Sequence, residues 1–152
     1  MPAQIILKLN RWKSRVDAIS KQYQLFISHC WDYSEDYENL IALLKNAPNF
    51  NYHNFSVTKA DPLIARNREA LKREITKQIS PASIVIILAG MYAHYSGWVP
   101  IEMDIARTFG KPIIGVVPWG QQITPKAVQT AVIKMVNWQT TSIVKAIREY
   151  SI

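Results

Sequence analysis

The chain has 152 residues, of which 49% are hydrophobic, so it is long enough for one domain with an ordinary core. Its single cysteine, Cys30, excludes an intrachain disulfide and favours a reducing compartment. Apolar runs fall short of the roughly 20 residues that span a bilayer, and the amino terminus lacks a secretory cleavage pattern. We therefore expect a cytoplasmic protein.

The net charge of +7 is concentrated in residues 1–22, which carry +4. Apolar residues recur there at alternating spacings of four and three: Ile5, Leu9, Trp12, Val16 and Ile19. This periodicity predicts an amphipathic helix with an apolar seam and a basic back. We assign residues 1–22 to this helix and 23–152 to the main domain. Packing on its own domain or on a second copy is the commoner use of such a seam, with a membrane surface or nucleic acid as the alternatives.

From residue 23 the chain alternates strand-like and helix-like stretches. Strands are predicted at 23–28, 52–57, 83–90, 111–120 and 132–138. Helices are predicted at 32–46, before Pro81, at 98–109, near 125–132 and at 140–150. Either Asp61 or Asn67 can cap the helix that Pro81 ends. These repeated βα units predict a flavodoxin-like α/β fold of three layers, with a five-stranded parallel sheet in the order 2-1-3-4-5.

A carboxylate interrupts the apolar stripe of the helix predicted at 98–109. The stripe consists of Trp98, Ile101, Ile105, Ala106 and Phe109, whereas Asp104 and Arg107 point away from it. Glu102 lies near the centre of this stripe. An unpaired buried charge costs several kcal/mol or has its pKa shifted until it neutralises, so Glu102 is a functional candidate. A position at the rim of the core, favoured by the helix dipole, is the alternative explanation.

The predicted strand order places a ligand crevice where the first and third strands end. Two segments converge there, SHCWD (28–32) and GMYAHYSGW (90–98). The candidate ligand-binding residues are Ser28, His29, Trp31 and Asp32 from the first segment, and Tyr92, Ser96 and Trp98 from the second. The aromatic rings of Trp31, Tyr92 and Trp98 can stack on a planar ligand ring. Core packing is the alternative role for Trp98.

These segments resemble TIR domains that cleave NAD, and most closely the bacterial TIR-like proteins of the Thoeris antiphage system. The resemblance is carried by FISHCWD, QISPASIVIILAGMYAHYS, W-x-x-x-E and GKPIIGVVPWG, and it covers about residues 23–150. It implies that Glu102 is the catalytic glutamate and that NAD is a substrate. It also implies that residues 58–66 form a loop that gates the pocket and mediates self-association.

The chemistry that the resemblance implies needs one carboxylate. Cleavage of the nicotinamide–ribose bond builds positive charge on the sugar, while the departing pyridinium becomes neutral without a proton. A partly desolvated Glu102 can stabilise that cation more strongly than the ground state. The implied product is a cyclic ADP-ribose-type signal, or another ADP-ribose derivative, that activates an effector protein.

Other site residues are predicted on weaker patterns. Lys59, Arg66 and Arg68 border the loop before the second predicted helix and are candidates for a pyrophosphate contact, with a solvated role as the alternative. His53 and His94 lack metal-ligand spacing, so we expect no metal. The sequence has neither G-x-G-x-x-G nor a P-loop, so we expect no bound nucleotide cofactor.

Two rival functions remain open from the sequence. A TIR-like interaction module would assemble with partners without consuming NAD. A flavodoxin-like or receiver-like domain fits less well, because the strand ends hold Ser28, His29 and Gly90 instead of an acidic cluster or a glycine-rich loop. The expected partners are NAD, a second copy bound through residues 58–66 or the amino-terminal helix, and an effector reached through the nucleotide signal. We expect neither nucleic acid nor membrane as a partner.

Overall fold

A computed structural model describes residues 2–28, 35–56, 67–89, 99–117 and 126–152. The strands in these ranges are β1 (Gln22–Ile27), β2 (Asn51–Asn54), β3 (Ile84–Leu88), β4 (Ile113–Val117) and β5 (Lys134–Asn137). The helices are α1 (Ala3–Ser20), α2 (Glu35–Lys45), α3 (Arg68–Ile79), α4 (Val99–Thr108), α5 (Lys126–Ala131) and α6 (Thr140–Tyr150).

The strands form one parallel sheet in the order β2-β1-β3-β4-β5. Strand β3 lies at its centre, where Val85 is in register with Phe26 of β1 on one side and with Ile113 of β4 on the other. Every residue of β3 is buried, as expected for a parallel strand covered on both faces. The predicted fold class is confirmed, together with the amino-terminal helix.

Two hydrophobic clusters lie on opposite faces of the sheet, because successive side chains of a strand point to opposite sides. On one face, Leu25, Ile27, Ile84, Ile86 and Leu88 pack with Leu40 and Leu44 of α2 and with Ile143 and Ile147 of α6. On the other face, Phe26, Val85 and Ile87 pack with Leu71, Ile75 and Ile79 of α3, Val99 and Met103 of α4, and Val128 of α5. The result is the predicted helix–sheet–helix arrangement.

The start of α3 is set by Asn67, the later of the two predicted caps. Its side-chain oxygen accepts hydrogen bonds from the backbone N–H groups of Glu69 and Ala70, each at 3.1 Å. These bonds satisfy two N–H groups that have no partner within the helix. Asp61, the earlier alternative, lies outside the described residues.

Strand β2 is shorter than the predicted 52–57 and ends at Asn54. The Asn54 side-chain oxygen accepts a 2.9 Å hydrogen bond from the backbone N–H of Ser56. Such a bond to the residue two positions ahead turns the chain away from regular strand pairing. The turn brings Ser56 over the end of β1.

Helix α1 does not bury its apolar seam. Side chains of Ile5, Leu9, Trp12 and Val16 are exposed, with 53% of Leu9 and 68% of Trp12 accessible to solvent. Of the two docking modes that the periodicity left open, packing on its own domain is not seen in the part of the chain that the structure describes. None of the helices in that part is long and apolar enough to cross a membrane.

Candidate active site

Ser28 and Glu102 meet where β1 and β3 end, at the crevice that the strand order predicts. Ser28 directly follows β1, and Glu102 lies in the first turn of α4. The Ser28 hydroxyl donates a 2.5 Å hydrogen bond to Oε2 of Glu102. The two residues are 1% and 5% exposed, and among the described residues they are the only buried polar or charged ones. Within the described residues, this pair is thus the one polar feature of an otherwise apolar core.

Helix α4 carries Glu102 on its buried face, as predicted, whereas Asp104 and Arg107 are exposed and pair with each other at 3.8 Å. The buried stripe differs in part from the predicted one. Phe109 is 44% exposed, and Val99 and Met103 are buried in addition to Ile105 and Ala106. Phe109 lies beyond the end of α4, in the turn that Gly110 completes with a φ of 64°, so the helical spacing no longer applies to it.

Burial controls the ionisation of Glu102. Desolvation, the larger cause, raises the pKa of its carboxyl group from 4.5 to about 8, and the hydrogen bond from Ser28 acts in the opposite direction. No ion pair reaches this carboxyl group from any described residue. The rim position that the helix-dipole explanation requires is excluded, since Glu102 is buried. Near neutral pH the group is mostly protonated, and a cation entering the crevice would favour its ionised form.

The end of β1 is held on both sides, which positions the backbone that carries Ser28. The backbone N–H of Ser28 donates to the carbonyl of Ile86 in β3 at 2.8 Å. On the other side, where β2 has already ended, the Ser56 hydroxyl accepts from the N–H of Ile27 at 3.1 Å and lies 2.7 Å from the Ile27 carbonyl oxygen. Ser56 thus takes the place of a β2 residue as the hydrogen-bond partner of Ile27, which directly precedes Ser28.

A small polar network supports Ser56. Its hydroxyl lies 2.5 Å from Oδ1 of Asn54, whose side-chain NH₂ donates to the Tyr37 hydroxyl at 2.8 Å. The network links the end of β1 to β2 and α2. None of these three residues is among those predicted from the sequence. The available signal was the Asn-x-Ser pattern after a short polar strand, which is typical of a side-chain-capped turn.

The structure describes few of the other predicted site residues. Seven of the candidates lie outside the described residues: His29, Trp31, Asp32, Lys59, Tyr92, Ser96 and Trp98. Residues 58–66 and Arg66 also lie outside them. Arg68 is described and is exposed at the start of α3. The structure therefore brings Ser28 and Glu102 together, and the remaining ligand contacts stay predictions.

The described part of the chain has one further surface feature and lacks a metal-binding cluster. An open depression between α4 and α5 is lined by Pro100, Met103, Asp104, Arg107 and Lys126, among others. Glu102 is not among its lining residues, so this depression is separate from the buried pair. The described residues contain no group of three His, Cys, Asp or Glu side chains that could hold a metal ion.

Comparison with known proteins gives a family and a fold. The family described as "Thoeris protein ThsB, TIR-like domain" matches residues 26–123. No curated protein matches the sequence. Among solved structures, the CMP N-glycosidase BcmB of Clostridium botulinum is similar with a TM-score of 0.50 and 14% identity, over 84% of this chain and 99% of that one. A 3-dehydroquinate dehydratase-like protein of Bifidobacterium longum has a TM-score of 0.43 and 10% identity, over 86% of this chain and 94% of that one.

Proposed function

The chain belongs to the family of TIR-like domains of the Thoeris protein ThsB, and from this premise we propose that it is an NAD-consuming enzyme with Glu102 as its catalytic residue. The observation that carries the proposal is the buried Ser28–Glu102 pair, which lies at the sheet edge where the strand order predicts a ligand crevice. A carboxylate that burial destabilises, beside a cleft of this kind of fold, is the arrangement expected of a functional group.

The proposed reaction breaks the bond between the nicotinamide nitrogen and C1′ of the ribose. The bonding electron pair goes to the nicotinamide ring, which loses its positive charge, and the ribose becomes an oxocarbenium-like cation. Glu102 in its ionised form stabilises that cation and binds the ribose hydroxyls. No proton has to be transferred to the leaving group, which agrees with a site that holds one carboxyl group among its described residues.

The raised pKa of Glu102 fits this role. The free site holds the carboxyl group mostly protonated at neutral pH, because its pKa is about 8. The nicotinamide ring of NAD is positively charged, and a positive charge close to a carboxyl group lowers its pKa. Substrate binding thus favours the ionised form in the complex, where a low dielectric strengthens its attraction for the developing cation.

The family supports a signalling product. We propose that the cation is captured by another atom of the same nucleotide, which gives a cyclic ADP-ribose-type product, or by an acceptor that gives another ADP-ribose derivative. In either case the product would activate an effector protein in antiphage defence. The similar Clostridium botulinum structure is that of a protein named as an N-glycosidase. This name supports the proposal that a protein of this fold can cleave an N-glycosidic bond.

The remaining predicted contacts belong to the same proposal. We assign substrate binding to Ser28, His29, Trp31, Asp32, Lys59, Tyr92, Ser96 and Trp98. Self-association would involve residues 58–66. NAD is the substrate in this scheme, and neither a metal nor a bound cofactor takes part in it.

The test is incubation of the purified chain with NAD at high protein concentration, followed by mass-resolved chromatography. We expect free nicotinamide and a product one water lighter than ADP-ribose. ADP-ribose as the main product would identify a hydrolase and overturn the cyclase part of the proposal. NAD that stays intact, even when the protein is clustered on a support, would overturn the enzymatic function and favour a non-catalytic interaction module.

A further inference from the structure

Helix α1 presents an apolar seam that nothing in the described part of the chain covers. Ile5, Leu9, Trp12 and Val16 lie along one side of the helix at spacings of four and three, and each of them is exposed. Four large apolar side chains in one row form a contiguous patch of the kind that marks a binding surface. The proposed NAD chemistry makes no use of this helix.

Basic side chains border the seam. At 100° per residue, Lys8 and Arg15 lie beside the row on one side and Lys13 on the other. The opposite side of the helix holds Asn10 and Ser14 together with one exposed apolar residue, Leu7. Residues 2–21 carry a net charge of +4, so the apolar seam lies within a positively charged surface.

The positive charge around the seam indicates which kind of partner this surface binds. A second copy of α1 would bring another +4 against the first, and like charges beside a helix pair oppose association. A negatively charged partner surface would instead attract α1. Long basic side chains at the margin of an apolar row can keep their charged ends at headgroup level while their stems cover apolar surface. Trp12 in the row matches the preference of tryptophan for the boundary between water and lipid.

We propose that α1 docks onto an anionic lipid surface, with the apolar seam at the boundary of headgroups and acyl chains and Lys8, Lys13 and Arg15 beside lipid phosphates. We depart here from the sequence-based expectation of no membrane partner, because the described part of the seam is exposed and lies within a positively charged surface. The contact is interfacial, since α1 does not meet the requirements for a membrane span.

The experiment uses the full chain and vesicles of phosphatidylcholine, with or without added phosphatidylserine. We expect sedimentation with the anionic vesicles only, weakening as salt is raised. Leu9→Glu introduces a charge into the apolar seam and should lower the vesicle partition coefficient at least about tenfold, the value of burying one leucine. Ser14→Glu makes the same charge change on the opposite side of the helix and should have a much smaller effect. Thermal unfolding of both variants should match that of the parent, because both positions are exposed.

Three outcomes would overturn the proposal. One is equal binding of Leu9→Glu and Ser14→Glu, which would show general charge attraction without a role for the seam. Another is no vesicle binding together with a lower solution mass for Leu9→Glu, which would show that the seam joins two copies. The third is no vesicle binding and no change in mass, which would leave an acidic protein as the partner to be sought. NAD consumption does not enter the test, so its result is independent of the proposed function.

Discussion

The hydroxyl of Ser28 and the carboxyl group of Glu102 are hydrogen-bonded at 2.5 Å although 74 positions separate them in the sequence. The parallel sheet makes this contact possible, because β1 and β3 are neighbours and the residues that follow them emerge at the same edge. Both groups are buried, with exposures of 1% and 5%. A polar pair in such surroundings costs stability unless it is fully satisfied, and we attribute its presence to the reaction proposed above.

Replacement of Glu102 by glutamine should stabilise the fold at high pH. The pKa of the Glu102 carboxyl group is about 8 in the folded protein, against an ordinary value of 4.5. As pH rises, the unfolded chain therefore loses this proton before the folded protein does. Glu102 therefore does not lower the free energy of unfolding below pH 4.5. Between pH 4.5 and 8 it lowers this free energy increasingly, by up to roughly 5 kcal/mol. Denaturant unfolding of Glu102→Gln and the parent should diverge over this interval, with the variant the more stable. The exposed carboxyl group on the same helix supplies the control, Asp104→Asn, which should track the parent. If the free energy of unfolding changes with pH in the same way for all three proteins, the raised pKa of Glu102 is contradicted.

The pH dependence of activity should follow the same group. If the ionised form of Glu102 is the active one, kcat/KM for NAD rises with pH through about 8, the pKa of the free site. The corresponding rise in kcat should occur at lower pH, because bound NAD places its positive charge near the carboxyl group. Initial-rate measurements from pH 5 to 9 would show both. A kcat/KM that falls across this range would mean that the protonated form is the active one.

Ser28→Ala should move that profile to higher pH. The hydrogen bond from Ser28 lowers the pKa of Glu102, so its loss raises the pKa and reduces the ionised fraction at neutral pH. We expect a loss in kcat/KM of about tenfold at pH 7, the usual value of a hydrogen bond to a charged group, and a partial recovery at pH 9. Ser28→Thr keeps the hydroxyl and should retain the parent profile if the extra methyl group fits. An unchanged profile in Ser28→Ala would argue against this bond.

Ser56→Ala should loosen the end of β1. The variant leaves the N–H of Ile27 without the 3.1 Å hydrogen bond that Ser56 accepts, at a cost of about 1–3 kcal/mol. Activity should fall through kcat more than through KM, because Ser56 acts by positioning Ser28. Thr108→Ala, which removes a hydroxyl bonded within an exposed turn of α4, is the control and should change neither quantity by much. Equal effects of the two substitutions would contradict a positioning role for Ser56.

Asn67→Ala should destabilise the protein by about 1 kcal/mol, since the Asn67 side chain caps the N-terminus of α3. Asn67→Asp retains an oxygen acceptor and should keep most of the stability. Chemical denaturation measures both changes. A loss that is equal in the two variants would mean that the amide group of Asn67, and not its cap oxygen, is what the fold requires.

Much of this fold follows from patterns that a short window of sequence contains. The unbroken apolar run around β3 and the regular spacing of Leu71, Ile75 and Ile79 each predict an element and its buried face. The position of Glu102 follows from the same helical spacing. The convergence of Ser28 and the helix that carries Glu102 at one edge of the sheet follows from the strand order, whereas the hydrogen bond between them was not predicted.

The remaining features depend on tertiary structure. Nothing local shows that Phe109 leaves the buried stripe, because the end of α4 depends on the turn at Gly110. The role of Ser56 requires the knowledge that β2 stops short of the end of β1. The exposure of the α1 seam could not be foreseen, since periodicity predicts a face that can be buried and does not identify what covers it.

The most direct test of the proposed function compares nicotinamide release from NAD by the parent chain, Glu102→Gln and Asp104→Asn at pH 8. The two variants make the same carboxyl-to-amide change on one helix, one on its buried face and one on its exposed face. We predict that Asp104→Asn releases nicotinamide at close to the parent rate and that Glu102→Gln is slower by at least about a hundredfold. Equal release by the parent and Glu102→Gln, or intact NAD with all three proteins, would contradict the assignment of Glu102 as the catalytic residue.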